Sequence, residues 1–92
     1  MAAGKQNLVG SRVRRIRTAG GMSQEILVAK CGAAGWDISR GTFAKIESGL
    51  RRVNDAELVI LAKVLACSLD DLLGGHPGKA VVVVVRQGRE GG

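Results

Sequence analysis

Between Met22 and Arg52 two short apolar patterns of helical spacing follow one another closely, separated by a turn containing Gly32 and Gly35 and closed by Gly49. Segments this short do not hold together alone, since an isolated helix below about 12–15 residues is marginal in water. Each must bury its apolar stripe against the other and against further helices. In the first, Ser23 stands as N-cap and Glu25 falls in the first turn, where the helix macrodipole favours negative charge. Its apolar positions are Ile26, Leu27, Val28 and Cys31. Gly32 and Gly35 mark its end, so Gly32 to Ile38 makes a turn longer than the three or four residues of a minimal two-helix corner. In the second, Ser39 caps a helix expected from about Arg40 to Glu47, and Gly49 suits the left-handed position past its end. Phe43 and Ile46 share a face and should enter the core, which turns Arg40, Gly41, Ala44 and Lys45 outward.

The flanking sequence supplies the partners. Val9, Val13 and Ile16, with Leu8 beside them, form an amphipathic stripe among Arg12, Arg14, Arg15 and Arg17; Asn7 is placed to cap this helix and Gly20-Gly21 to end it. Asn54 followed by Glu57 resembles a capping box, opening a fourth helix with Leu58, Val59, Leu61, Ala62 and Leu65 on a broad core face. Ser68, Asp70 and Asp71 begin a short fifth helix carrying Leu69, Leu72 and Leu73. The run Gly74-Gly75-His76-Pro77-Gly78 should end the helical domain. The expected fold is therefore all-α, a five-helix domain over residues 1–75, with 76–92 as linker and tail.

In that tail Val81, Val82, Val83, Val84 and Val85 predict a C-terminal β-strand, because β-branched side chains are stiff in a helix and fit a pleated surface. A lone strand is not stable in water. It must pair with its copy in another subunit, pack on the helices, or aggregate; pairing across a two-fold axis, a dimerisation strand, is the preferred reading.

Fourteen Lys and Arg against eight Asp and Glu give a net charge of +6, which suits a polyanionic partner. The charge is segregated. The first eighteen residues hold Lys5, Arg12, Arg14, Arg15 and Arg17 with no acidic group, and Arg40, Lys45, Arg51 and Arg52 cluster around the third helix. Asn54 to Leu73 carries Asp55, Glu57, Asp70 and Asp71 against Lys63 alone. Solubilising surface charge does not explain this separation; a face turned to phosphate does. Two helices joined by a turn, the second with a basic outer face, form a helix-turn-helix, in which one helix braces the DNA backbone and the next enters the major groove. Gly41 costs about 1 kcal/mol relative to Ala inside a helix; close approach to DNA or a frayed first turn would each account for it.

Other chemistry is poorly served. One His, no Tyr, no paired carboxylates beside a nucleophile and no phosphate-binding Gly loop after a strand argue against an enzyme. Cys31, Cys67 and His76 lack metal-ligand spacing, so no metal or cofactor is expected, and buried free thiols in a reducing cytoplasm fit both cysteines. No signal peptide or membrane span is evident, and no small-molecule effector is suggested.

From Val9 to Leu73 the sequence resembles the Cro/CI-type, or XRE-like, helix-turn-helix domains of phage repressors and bacterial regulators. The similarity lies in Val9-Gly10-x-Arg12-Val13-Arg14-x-Ile16-Arg17, Met22-Ser23-Gln24-Glu25-x-Leu27 and Ile46-Glu47-x-Gly49-x-Arg51, followed by Glu57-Leu58-x-x-Leu61-Ala62-Lys63-Val64-Leu65 and Ser68-Leu69-Asp70-Asp71-Leu72-Leu73. Each piece is weak alone; five in order are specific. The resemblance implies a compact five-helix domain in which Gln24 contacts a DNA phosphate, Ser39, Arg40, Thr42 and Lys45 are the candidate base and backbone contacts, and Arg51 joins the DNA-binding set. It also implies a structural ion pair between Arg17 and Glu47. Arg40 has the chemistry to donate bidentately to guanine O6 and N7, Lys45 to reach guanine or phosphate, and Thr42 to meet a thymine methyl or, like Ser39, a phosphate. Val28 replaces the small Ala usual between helices two and three, and the turn carries about four extra residues relative to the shortest members, including Trp36, which is either core or a contact.

The expected function is a sequence-specific regulator of transcription, a repressor by preference, binding double-stranded DNA as a homodimer in the cytoplasm. The alternative is an antitoxin-like or assembly module whose valine strand augments a partner's sheet.

Overall fold

The computed structural model describes residues 4–91, with side chains described to residue 87. Six helices follow in order: α1 (Gly10–Ala19), α2 (Gln24–Ala33), α3 (Arg40–Glu47), α4 (Asp55–Leu65), α5 (Leu69–Leu73) and α6 (Gly78–Gly91). The first five surround one core in which Val13, Leu27, Phe43, Ile46, Leu61 and Leu72 are fully buried. These are the positions that the 3.6-residue periodicity turns inward, and α1, α2 and α4 each supply a wall against which α3 or its neighbours pack.

The helix starts follow their capping chemistry. Ser23 Oγ accepts from the Ile26 amide at 3.1 Å and Ser39 Oγ from the Thr42 amide at 3.1 Å. Asn54 with Glu57 and Ser68 with Asp71 close reciprocal capping boxes, satisfying amides that a helix start leaves unpaired. Asn7 acts from further back than an ordinary cap. Its Oδ1 accepts from the Val9 and Gly10 amides at 3.1 and 2.8 Å, while its Nδ2 donates to the carbonyls of Ile46 and Arg51 at 3.0 and 2.8 Å. One buried side chain thus joins the start of α1 to the end of α3.

The helix ends use left-handed residues. Gly49 has φ 81°, as expected, and the Leu50 amide closes back onto the Lys45 carbonyl at 2.8 Å. Gly35, at φ 102°, lets the Trp36 amide reach the Cys31 carbonyl at 2.8 Å. After α4 the same role falls to Ala66, at φ 55°. Cys31 is buried and Cys67 half-buried, both free, and burial pushes both thiols up from their ordinary range.

The tail corrects the sequence expectation. Val81, Val82, Val83, Val84 and Val85 lie in helix α6, and no strand occurs among the described residues. A strand here would leave its backbone groups without a ladder, whereas a helix satisfies them within the segment. Against that, the helix penalty of Val is only about 0.5 kcal/mol per residue relative to Ala. Gly78–Gly91 therefore form a helix where a linker and a strand were expected, and helix formation begins directly after Pro77, whose carbonyl accepts from the amides of Ala80 and Val81.

Candidate nucleic-acid interface

The outer face of α3 is built by subtraction. Phe43 and Ile46 are buried to 0 % exposure, and the helical period then forces Arg40, Gly41 and Lys45 into solvent, where all three are exposed. A Cβ on Gly41 would meet nothing within 4 Å, so no packing inside the chain requires that glycine. Thr42 is half-buried, and its Oγ1 accepts from the Ser39 hydroxyl at 2.9 Å. Ser39 is thus spent mainly on the helix start, with its lone pair on Thr42 N and its proton on Thr42 Oγ1.

The ion pairs among the described residues are Arg17–Glu47 and Arg51–Glu57, which leaves Arg40 and Lys45 outside any. Arg17 and Glu47 meet as expected. The guanidinium donates from Nε to Oε2 at 2.6 Å and from Nη2 to Oε1 at 3.0 Å, with side chains only 10 % and 5 % exposed. Those hydrogen bonds raise the Arg17 pKa against the opposing effect of burial. A third donor, Gln24 Nε2, reaches Glu47 Oε1 at 2.9 Å. Gln24 is therefore fixed at the start of α2 by the last residue of α3, with one amide hydrogen still available to an outside acceptor.

Arg51 is placed differently from Arg40 and Lys45. It forms a forked pair with Glu57 at 3.1 and 3.0 Å, also donates to the Arg52 carbonyl, and lies 6.0 Å above the Trp36 ring. Its guanidinium braces the long turn and the start of α4. Trp36 is half-buried and packs on the core, so the extra turn residues are anchored rather than splayed into solvent. Arg12, counted in the sequence with the basic face, donates to the carbonyls of Asp71 and Gly74 and so ends α5. Lys5 donates to the Ser48 carbonyl at 3.0 Å, and Arg52 to the Val84 carbonyl at 3.3 Å. Side-chain length and charge alone do not separate these structural cations from the free ones; only their acceptors do. The residues that the sequence reading passed over are Gly10, against which the end of α3 packs, and the second function of Asn7. The Asn7-x-x-Gly10 spacing is the signal that was present.

A helical bundle in which α2 braces α3 through a turn, and α3 presents an open basic face, defines a helix-turn-helix domain. The helix-turn-helix family model matches residues 13–72. The chain belongs to that family, in its Cro/CI-type (XRE-like) branch, and is a DNA-binding regulator of transcription. The high-resolution crystal structure of the restriction-modification controller protein C.AhdI from Aeromonas hydrophila is similar at 33% identity and a TM-score of 0.61, over 70% of this chain and 89% of that one. The SinR protein/SinI protein complex is similar in fold, at 22% identity and a TM-score of 0.60, over 91% of this chain and 81% of that one. No curated protein sequence matches the chain significantly.

Proposed function

We propose that this chain is a sequence-specific repressor that binds a palindromic operator in double-stranded DNA as a homodimer, with α3 in the major groove. The carrying observation is that Arg40 and Lys45 are exposed on the outer face of α3 and outside the ion pairs among the described residues, while Gln24 at the start of α2 is held by Glu47, the last residue of α3. In this reading Arg40 donates bidentately to a guanine, Lys45 reaches guanine or phosphate, and Gln24 and the Ser39–Thr42 pair contact the backbone. Arg51 acts by holding the turn and α4 in place, and touches phosphate only through the part of its side chain left open by Glu57. Two recognition helices on one face of B-DNA would read half-sites about 34 Å apart. Repression follows from occupancy of the operator. Likeness to a restriction-modification controller protein supports a regulatory role.

The test is selection of bound duplexes from a random pool, with the native chain and with Arg40→Ala. A palindromic motif that loses one base preference per half-site in the variant is the expected result, and affinity should fall steeply with salt as bound cations release counterions. Salt-sensitive binding with no enriched motif would overturn sequence-specific regulation.

A further inference from the structure

The last carbonyls of a helix find no amide within the helix itself. At the end of α3 the donors come from a non-helical segment near the other end of the sequence. Asn7 Nδ2 donates to the Ile46 carbonyl at 3.0 Å, Lys5 Nζ to that of Ser48 at 3.0 Å, and the Gln6 amide to that of Gly49 at 2.8 Å. Lys5 also brings positive charge to a helix C-terminus, where the macrodipole favours it. A Cβ on Gly49 would overlap the Lys5 stem, so the segment lies flat against the turn that closes α3. Residues 5–7 thus finish the helix that carries Arg40 and Lys45.

Helix α6 holds that segment from outside. Gln6 Nε2 donates to Gln87 Oε1 at 2.9 Å, and a Cβ on Gly4 would stand 2.7 Å from both Val83 Cγ1 and Gln87 Nε2. Val84 lines a small cleft with Gln6, Asn7 and Leu8, and its carbonyl accepts from Arg52, which lies just past α3, at 3.3 Å. Elsewhere α6 stands off from the body. A cleft of about 420 Å³ separates Ala80 and Val83 from Leu8 and Gly10, and no described residue of α6 belongs to the buried core. A helix rich in weakly helix-forming valines, with no share in the core, therefore has its ties gathered on the segment that ends α3.

We propose that α6 is a clamp that presses residues 4–7 against the end of α3, which makes Gln6, Val84 and Gln87 positioning residues for DNA binding although none of them belongs to α3. The effect on DNA rests on the reading of α3 as the helix in the groove; the clamp itself does not. Release of α6 removes the outer support of the segment, the carbonyls at the end of α3 lose their donors, and the last turn of α3, which carries Lys45, opens. Such local opening draws on the least stable part of a structure and leaves the core intact. Binding to DNA then has to re-form that turn, and affinity falls.

The experiment compares two double variants of the full chain: Val84→Asn with Gln87→Ala on the inner side of α6, and Val82→Asn with Val85→Ala on its exposed side. Neither changes the charge, and each places one Asn and one Ala in the helix. Amide hydrogen exchange without DNA reads the clamp. In the inner variant the Gln6 and Leu50 amides, bonded to the Gly49 and Lys45 carbonyls, should exchange about tenfold faster than in the outer one, with amides in the middle of α2 and α4 unchanged. Equal exchange in the two variants overturns the clamp. Affinity for the duplex most enriched from a random pool by the native chain, compared at matched oligomeric state, should be about fivefold weaker for the inner variant. Faster exchange with equal affinity overturns the positioning role. If no duplex is enriched, the reading of α3 as a sequence reader fails, and the exchange comparison still decides the clamp. Gln87→Ala alone, which removes only the bond to Gln6, should shift exchange in the same direction by less; no shift would count against the clamp even if the double variant fails to fold.

Discussion

Gly10 lies against the backbone of Ile46 so closely that a Cβ there would overlap the Ile46 carbonyl oxygen and stand 2.8 Å from that of Glu47. The start of α1 and the end of α3 are thereby pressed together, and Asn7 bonds the same junction from the side. Gly10→Ala should improve local helix propensity by up to about 1 kcal/mol, yet backbone cannot move aside as a flexible side chain can. We expect a net loss of about 1–3 kcal/mol from overpacking, read by urea unfolding. A variant as stable as native would mean that α3 has room to shift.

The Arg17–Glu47 pair should be costly to break from one side. With both side chains almost fully buried, Arg17→Ala or Glu47→Ala strands an uncompensated charge, and about 3–5 kcal/mol should be lost. The double variant Arg17→Met with Glu47→Leu should recover much of this, because the paired charges gain little net stability over apolar packing. Glu47→Ala also frees Gln24, so DNA affinity should fall further than the stability loss explains. Denaturation and DNA titration on the same variants separate the two effects.

Ala66 carries the left-handed turn after α4 without being glycine. An L-residue in that conformation costs about 1–2 kcal/mol, and the added chain entropy of glycine in the unfolded state offsets about 0.4–1 kcal/mol of the relief. Ala66→Gly should stabilise the protein by about 0.5–1 kcal/mol, seen as a higher melting temperature with DNA binding unchanged.

Acid should weaken the Arg51–Glu57 brace. The Arg51 hydrogen bonds, aided by the Asn54 amide and opposed by burial, hold the Glu57 carboxyl below the usual carboxylate range. A lowered folded-state pKa contributes stability that is full above the unfolded value and lost as pH falls through the folded one. Native stability should therefore decline on acidification below that range, and the gap between native and Glu57→Gln should narrow. A constant gap between neutral and acid pH would show that Glu57 works through packing alone.

Much of this arrangement was legible in the sequence because its signals are local. Ser23, Ser39, Asn54 and Ser68 begin helices since a side-chain oxygen near a helix start has unpaired amides within reach, and Gly49 ends α3 since a left-handed residue there meets no steric penalty. Phe43 and Ile46 went inward by spacing, so the outer face of α3 followed. The fate of the cations was not legible. Arg12, Arg17, Arg40 and Arg51 have identical side chains, yet they respectively end a helix, fill a buried pair, stand open to solvent and brace a turn over Trp36.

By itself, then, the sequence determined the helices of the domain, their boundaries and the basic, outward side of α3, all properties of residues within a few positions of one another. The tertiary structure decided which charges are already satisfied, why Gly10 must be glycine, and that the valine run is helical. The first two outcomes depend on acceptors and backbones brought close by the fold from distant parts of the chain; the third follows because a segment with no neighbouring strand satisfies its backbone within a helix, and the cost of about half a kilocalorie per valine is too small to overrule that.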